Sequence, residues 1–105
     1  MVNVEVTRQQ GIPYEICIHD HAGYAKRGQD LVCAGVSSIA VGMLNALDQL
    51  TIDDVCNLVM KDAYVKISLK QRNDKAELLM EALIIQLKTL ETNYHNYISI
   101  HDQEV

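Results

Sequence analysis

The stretch DHAGYAKRGQDLVCAGVSS, residues 20–38, is where the sequence changes from a strand pattern to a helix pattern. Alternating apolar residues precede it, and apolar residues at helical spacing begin near its end. Gly23 and Gly28 lie in the intervening loop, and Asp30 is placed to accept hydrogen bonds from the first amides of the helix. A hairpin followed by one long helix predicts a sheet with helices laid on it.

The same stretch contains a histidine and a cysteine that could act together. Cys33 falls in the first turn of the predicted helix, where the positive end of the helix dipole favours the thiolate. His21, on the other side of the loop, could carry a proton to a leaving group. By themselves, one histidine and one cysteine separated by 12 positions are weak evidence, because a free cysteine is usually a small buried hydrophobe.

The stretch also resembles the signature of the ribosomal-processing cysteine protease family, called Prp. The matching residues are His21, Ala22, Asp30, Leu31, Val32, Cys33, Ala34, Gly35 and Ser37. The resemblance covers nearly the whole chain. It implies that His21 and Cys33 form a catalytic dyad, that Asp30 and Ser37 support the site, and that the substrate is the N-terminal extension of large-subunit ribosomal protein bL27. The family usually has Gly before the histidine, whereas this chain has Asp20.

Two other readings of these residues stay open. His19, His21 and Cys33 are ligand types that zinc accepts, although their spacing matches no familiar zinc pattern. A non-enzymatic, ribosome-associated binding module would leave Cys33 unreactive. With the protease reading we expect no metal and no cofactor.

Composition limits the class of protein. A chain of 105 residues is one domain, residues 1–105. Its formal net charge of −5 argues against direct nucleic-acid binding and favours a basic protein partner such as a ribosomal protein precursor. An odd count of three cysteines indicates a reducing compartment. No signal-peptide pattern is visible, and the small polar residues of the first helix argue against a membrane span, so we expect a cytoplasmic protein.

Hydrophobic periodicity predicts seven elements in the order β-β-α-β-β-α-β. Their expected ranges are strands at 2–7 and 12–19, a helix at 31–49, strands at 55–60 and 63–70, a helix capped by Asn73, and a last strand at 97–100 with a frayed tail. We therefore expect an α+β two-layer sandwich, a mainly antiparallel sheet with two helices on one face.

Several packing expectations follow from the same patterns. The first helix is apolar nearly all round, which predicts burial on several sides. The strand at 55–60 alternates poorly and is expected to be buried on both faces. A second apolar stripe, formed by Leu78, Ala82 and Ile85, is expected to cover the first helix or a second subunit of a homodimer. The loop at 22–29 has little apolar content and is expected to move to admit substrate.

Overall fold

The computed structural model describes residues 1–26, 29–52 and 54–105. The predicted order of elements is confirmed. The elements are β1 (Val2–Gln9), β2 (Ile12–His19), α1 (Leu31–Leu50), β3 (Cys56–Lys61), β4 (Tyr64–Leu69), α2 (Asp74–Asn93) and β5 (Ile98–Glu104).

The five strands form one sheet in the order β3-β4-β2-β1-β5. All neighbouring pairs are antiparallel except β1 and β5, which are parallel. Val2, Val4 and Val6 of β1 are buried in one core with residues of both helices. The expected fold class, an α+β two-layer sandwich with a mainly antiparallel sheet, is therefore confirmed.

The first hairpin places the end of β2 beside the site. Asn3 is paired with His19, and Thr7 with Glu15, before a bulge shifts the register at Arg8. Pro13 lies beyond the part of β2 that pairs with β4, so its missing amide costs no hydrogen bond there. The chain then leaves β2 at Asp20, directly before His21.

Strand β3 differs from the expectation of burial on both faces. It is an edge strand, and Met60 near its end is 59% exposed. The turn that follows is formed by Asp62 and Ala63, and β4 begins at Tyr64 rather than at the expected residue 63. Ala63 has φ of 53°, an unusual conformation for alanine that the strand pattern could not reveal. Periodicity does not distinguish an edge strand from a central strand, because both show the same apolar residues.

The C-terminal segment also differs from expectation. Residues 101–104 do not fray but continue β5 alongside β1. Arg8 explains this order, since it donates to Asp102 at 2.7 Å and also binds Glu81 of α2. Lys88 donates to the same Asp102 carboxylate at 3.1 Å. Charged residues thus hold a strand whose outer half is too polar to be recognised by its apolar pattern.

Helix α1 buries one face rather than several. Its buried residues are Val32, Val36, Ala40, Met43, Leu44 and Leu47. On other faces, Leu31 and Val41 are exposed. Gly35 packs closely against α2, since an added Cβ would lie 3.2 Å from Leu90, whereas Gly42 faces open space.

By length and mean hydropathy alone, α1 could cross a membrane, contrary to the expectation from its small polar residues. Its buried face packs into the core formed with the sheet and α2. Core helices of soluble proteins pass the same test, so the feature is weak evidence for a membrane span.

Helix α2 begins as predicted, with the Asn73 side chain accepting from the Ala76 amide at 3.0 Å. The Glu77 carboxylate returns to accept from the Asn73 amide at 2.8 Å. The second apolar stripe does not cover α1, because Leu78 and Ile85 are 71% and 62% exposed.

Candidate active site

The buried carboxylate of Asp30 organises the site. Oδ1 accepts from the amides of Val32 and Cys33, both at 3.0 Å, and so caps α1. Oδ2 accepts from the amide of Tyr24 at 2.9 Å and, more weakly, from that of Ala25 at 3.5 Å. One side chain therefore holds both the start of the helix and the loop that carries His21.

These contacts change the acidity of Asp30. Burial alone would raise the pKa of the carboxyl group, but the hydrogen bonds from the Cys33, Tyr24 and Ala25 amides outweigh burial and lower it. Asp30 is thus an ionised acceptor at neutral pH. The predicted cap is confirmed, and the contact with the loop is an addition that the sequence did not indicate.

Cys33 is the third residue of α1 and is partly buried. Its Sγ accepts a hydrogen bond from the amide of Ala22 at 3.1 Å. The sulfur thus lies in the first turn of the helix with one backbone N–H directed at it. Ala22 is buried, so this contact also fixes the loop directly after His21.

His21 and Cys33 line the same cavity, which has a volume of about 540 Å³. Its wall includes residues of α1, among them Ala34 and Ser37, and the β3–β4 turn with the residues that flank it, Lys61 and Tyr64. Within the described chain, the imidazole of His21 forms no hydrogen bond. It is exposed to the cavity and free to meet a substrate.

Ser37 lies one turn after Cys33 and lines the same cavity. It is exposed, and no bond from its hydroxyl to its own helix occurs among the hydrogen bonds of the described residues. The four residues singled out from the sequence, His21, Asp30, Cys33 and Ser37, are therefore brought together around one opening.

The amides at the start of α1 are less available than expected. From the sequence they are the simplest donors to an oxyanion. In the structure, however, the amides of Val32 and Cys33 are bonded to Asp30 Oδ1, and that of Ala34 is bonded to the Asp30 carbonyl. Each of these three amides would have to exchange its partner before it could donate to an oxyanion.

An aromatic contact in the loop was missed at the sequence level. The Tyr24 ring packs edge-on against Tyr94 and Tyr97, with centroid distances of 5.8 and 5.0 Å. These two tyrosines lie between the end of α2 and the start of β5. The loop therefore has more apolar anchoring than expected, although Arg27 and Gly28, within the 22–29 segment expected to move, lie outside the described residues.

His19 and Asp20 lie at the edge of the site. His19 Nδ1 is 3.0 Å from Asp20 Oδ2, and His19 Nε2 is 3.2 Å from Glu5 Oε2. Asn3 Nδ2 donates to the same Asp20 oxygen at 2.9 Å. Asp20 lines the cavity, whereas His19 is absent from its wall. His19 is thus a bridge between carboxylates rather than a competitor for the role of His21.

The zinc reading finds no support in this arrangement. Across residues 1–26, 29–52 and 54–105, no group of three or more His, Cys, Asp or Glu side chains is placed to hold a metal ion. His19 is engaged by Glu5 and Asp20, away from the Cys33 sulfur.

A thiol at a helix start and a histidine on a facing loop, both opening into a cavity of peptide-binding size, define a cysteine peptidase on an α+β sandwich. The model of the cysteine protease Prp family matches residues 1–99, and the chain belongs to this family of ribosomal-processing cysteine proteases.

Known proteins agree in sequence and in fold. The ribosomal processing cysteine protease Prp of Mycoplasma pneumoniae is 38% identical over 93 residues, which cover 86% of this chain and 88% of that protein. The crystal structure of Staphylococcus aureus Prp with a covalently linked product peptide has a TM-score of 0.90 at 28% identity, covering 98% of this chain and 100% of that one. The same protease with a substrate peptide has a TM-score of 0.84 at 27% identity, with the same coverage.

Proposed function

We propose that this protease removes the N-terminal extension of ribosomal protein bL27, with Cys33 as nucleophile and His21 as general base and acid. The observation that carries the proposal is that both side chains open into one cavity, with Cys33 at the start of α1. The family membership and the covalent product peptide of the staphylococcal relative support covalent catalysis by a cysteine.

The chemistry requires one proton carrier. His21 accepts the thiol proton, and the sulfur attacks the scissile carbonyl carbon, forming a C–S bond and a tetrahedral oxyanion. When the oxyanion collapses, the C–N bond breaks and His21 returns its proton to the leaving amine. Water, deprotonated by His21, then attacks the thioester, and the departing sulfur recovers the proton. The products are an acid and an amine, with the enzyme unchanged.

The supporting residues hold this geometry. Asp30 sets the position of Cys33 through the helix cap and that of the loop through Tyr24. Ser37 presents its hydroxyl to the cavity one turn further along α1. The missing hydrogen bond between His21 and Cys33 is compatible with the mechanism, since catalytic contacts often tighten only when substrate binds.

Incubation with the precursor of the ribosomal protein, followed by mass spectrometry, tests the proposal. We expect a single cut that releases the N-terminal extension. Cys33→Ala should abolish cleavage, and His21→Ala should lower the rate by roughly 10² to 10⁴. Cys17→Ala is the matched control and should cleave normally, because Cys17 lies on β2 outside the cavity wall. Normal cleavage by either dyad variant would contradict the assignment.

The remaining parts of the proposal concern assembly and location. We propose a cytoplasmic homodimer that recognises a protein substrate and makes no direct contact with nucleic acid. The net charge of −5 supports attraction to a basic ribosomal precursor and repulsion from RNA.

A further inference from the structure

We propose that Asp20 is a specificity-determining residue that selects a lysine or arginine side chain of the substrate peptide beside the scissile bond. The inference rests on the proposed function in one respect, namely that the cavity shared by His21 and Cys33 holds the peptide. It adds a recognition role for a residue on the cavity wall that the proposed mechanism does not use.

The position of Asp20 is suited to such a role. It is the residue directly before His21, and it forms part of the cavity wall. Its side chain is 60% exposed, so a substrate cation can reach it without first displacing another part of the protein. A charge at this point lies next to the proton carrier and hence close to the bond being cut.

The Asp20 carboxylate is held in place on one side only. Oδ2 is bonded to Asn3 Nδ2 at 2.9 Å and lies 3.0 Å from His19 Nδ1, while no hydrogen bond to Oδ1 occurs within the described chain. No lysine or arginine of the described residues is paired with Asp20. A carboxylate that is already held in place, with one oxygen unbonded, can bind a cation with little further loss of side-chain conformational entropy.

Asp20 keeps its charge under these contacts. The hydrogen bond from Asn3 lowers the pKa of its carboxyl group, and His19 contributes in the same direction. The N-terminal ammonium of Met1 donates to the His21 carbonyl at 2.7 Å and also lowers the pKa of Asp20. With His19 neutral, the two carboxylates of Glu5 and Asp20 still outweigh this single positive charge. An ammonium or guanidinium group of the peptide is therefore attracted to this side of the cavity.

The backbone provides an independent reason to assign a role to this side chain. Asp20 has φ of 75°, a conformation that glycine adopts freely and that aspartate, like asparagine, adopts more readily than most residues but still at some cost. Its amide donates to the Ala63 carbonyl at 3.0 Å, which fixes the turn whatever the side chain. The turn therefore does not require a carboxylate, and a residue in this conformation directly before His21 supports a functional role for its side chain.

These features allow variants that remove the carboxylate or its charge without changing the backbone conformation. Asp20→Gly keeps the backbone conformation and removes the carboxylate. Asp20→Asn tolerates positive φ, can still accept from Asn3 and removes only the charge. Glu5→Gln is the matched control, because Glu5 also bonds His19 but is absent from the cavity wall. It removes one negative charge from the same group without altering the cavity.

The test compares two series of peptides covering the cleavage site. Each series places one residue at successive positions around the scissile bond, lysine in one series and glutamine in the other. We expect the wild-type protein to favour lysine at one position by about threefold to fivefold in kcat/KM. The preference should disappear in Asp20→Gly and Asp20→Asn, persist in Glu5→Gln, and weaken as salt is raised. Binding of both series to Cys33→Ala reads the same preference without chemistry.

Two results would overturn the inference: no preference for lysine at any position, or a preference that survives unchanged in Asp20→Asn. Neither result touches the dyad, because both can occur while the peptide is still cut by Cys33. Conversely, full activity of His21→Ala would defeat the proposed mechanism, whereas the lysine preference in binding could still be lost with the Asp20 charge.

Discussion

Asp30 illustrates how a single residue can hold two parts of a candidate site together. Its two oxygens serve different parts of the chain, Oδ1 the amides of α1 and Oδ2 the amides of the loop. Asparagine at this position can cap the helix with its one oxygen, but its NH₂ group would face the Tyr24 amide, donor against donor. Asp30→Asn therefore separates the two roles.

We expect Asp30→Asn to lose about 1 to 2 kcal/mol of unfolding free energy and Asp30→Ala to lose more, about 2 to 3 kcal/mol. The folded-state pKa of Asp30 lies below its ordinary value. The stabilisation is therefore complete above the unfolded pKa of about 3.9 and is lost as pH falls through the lower folded value. Urea unfolding at neutral pH and at about pH 3 should show the difference between wild type and Asp30→Asn shrinking on acidification. A constant difference would contradict this account.

The three cysteines differ in their surroundings, and this predicts an order of reactivity. Burial raises the pKa of Cys17, only partly offset by a hydrogen bond with Tyr64, and burial also raises the pKa of Cys56. Cys33 instead lines the open cavity at the helix start. At neutral pH, limiting iodoacetamide should label Cys33 first, at least about tenfold faster than the others. Peptide mapping by mass measures the order, and earlier labelling of Cys17 or Cys56 would count against Cys33 as nucleophile.

At the scale of secondary-structure elements, the loop between β2 and α1 is held by specific contacts at Ala22 and Tyr24. The Ala22 amide donates a hydrogen bond to Cys33 Sγ, and the Tyr24 amide donates one to Asp30 Oδ2. The Tyr24 ring contacts Tyr94 and Tyr97. The expectation that the loop at 22–29 moves to admit substrate therefore does not imply fast amide exchange at every residue of the loop. Protection is expected at Ala22 and Tyr24, and any opening for substrate must break these contacts.

Tyr24→Ala should release this part of the loop. Two edge-on aromatic contacts are worth about 0.5 to 1.5 kcal/mol each, so amide exchange at Ala22 and at position 24 should become about tenfold faster or more. Tyr24→Phe keeps the ring and is the matched control, with exchange expected to stay as in the wild type. Hydrogen exchange followed by NMR makes the comparison. Unchanged exchange in Tyr24→Ala would show that the backbone bonds hold the loop without the ring.

At the scale of the whole molecule, the exposed apolar side chains bear on assembly. Leu78 and Ile85 on α2, and Ile52 after α1, remain largely open to solvent. A domain of this size gains by covering such surface with a second copy. We expect light scattering to give the mass of a dimer at micromolar concentration and a falling mass on strong dilution. A monomer throughout the micromolar range would overturn the homodimer proposal.

The sequence by itself determined the order of the elements, the starts of both helices and the grouping of candidate residues. These features depend on neighbours in the chain: alternation in β1 and β2, a cap at Asp30 followed by helical spacing, and a cap at Asn73. Local patterns are readable because the backbone repeats impose them within a few residues. The motif around His21 and Cys33 additionally indicates the protein family.

Only the tertiary structure decided which partners those residues have. The edge position of β3, the order of residues 101–104 beside β1, and the second use of Asp30 by Tyr24 all depend on groups distant in sequence. Such contacts arise when packing brings unmet hydrogen-bonding groups and charges together, and no period in the chain reports them. Asp20 shows the difference. In the sequence it is only a residue that departs from the motif, whereas the fold places its carboxylate, held by Asn3, on the wall of the cavity.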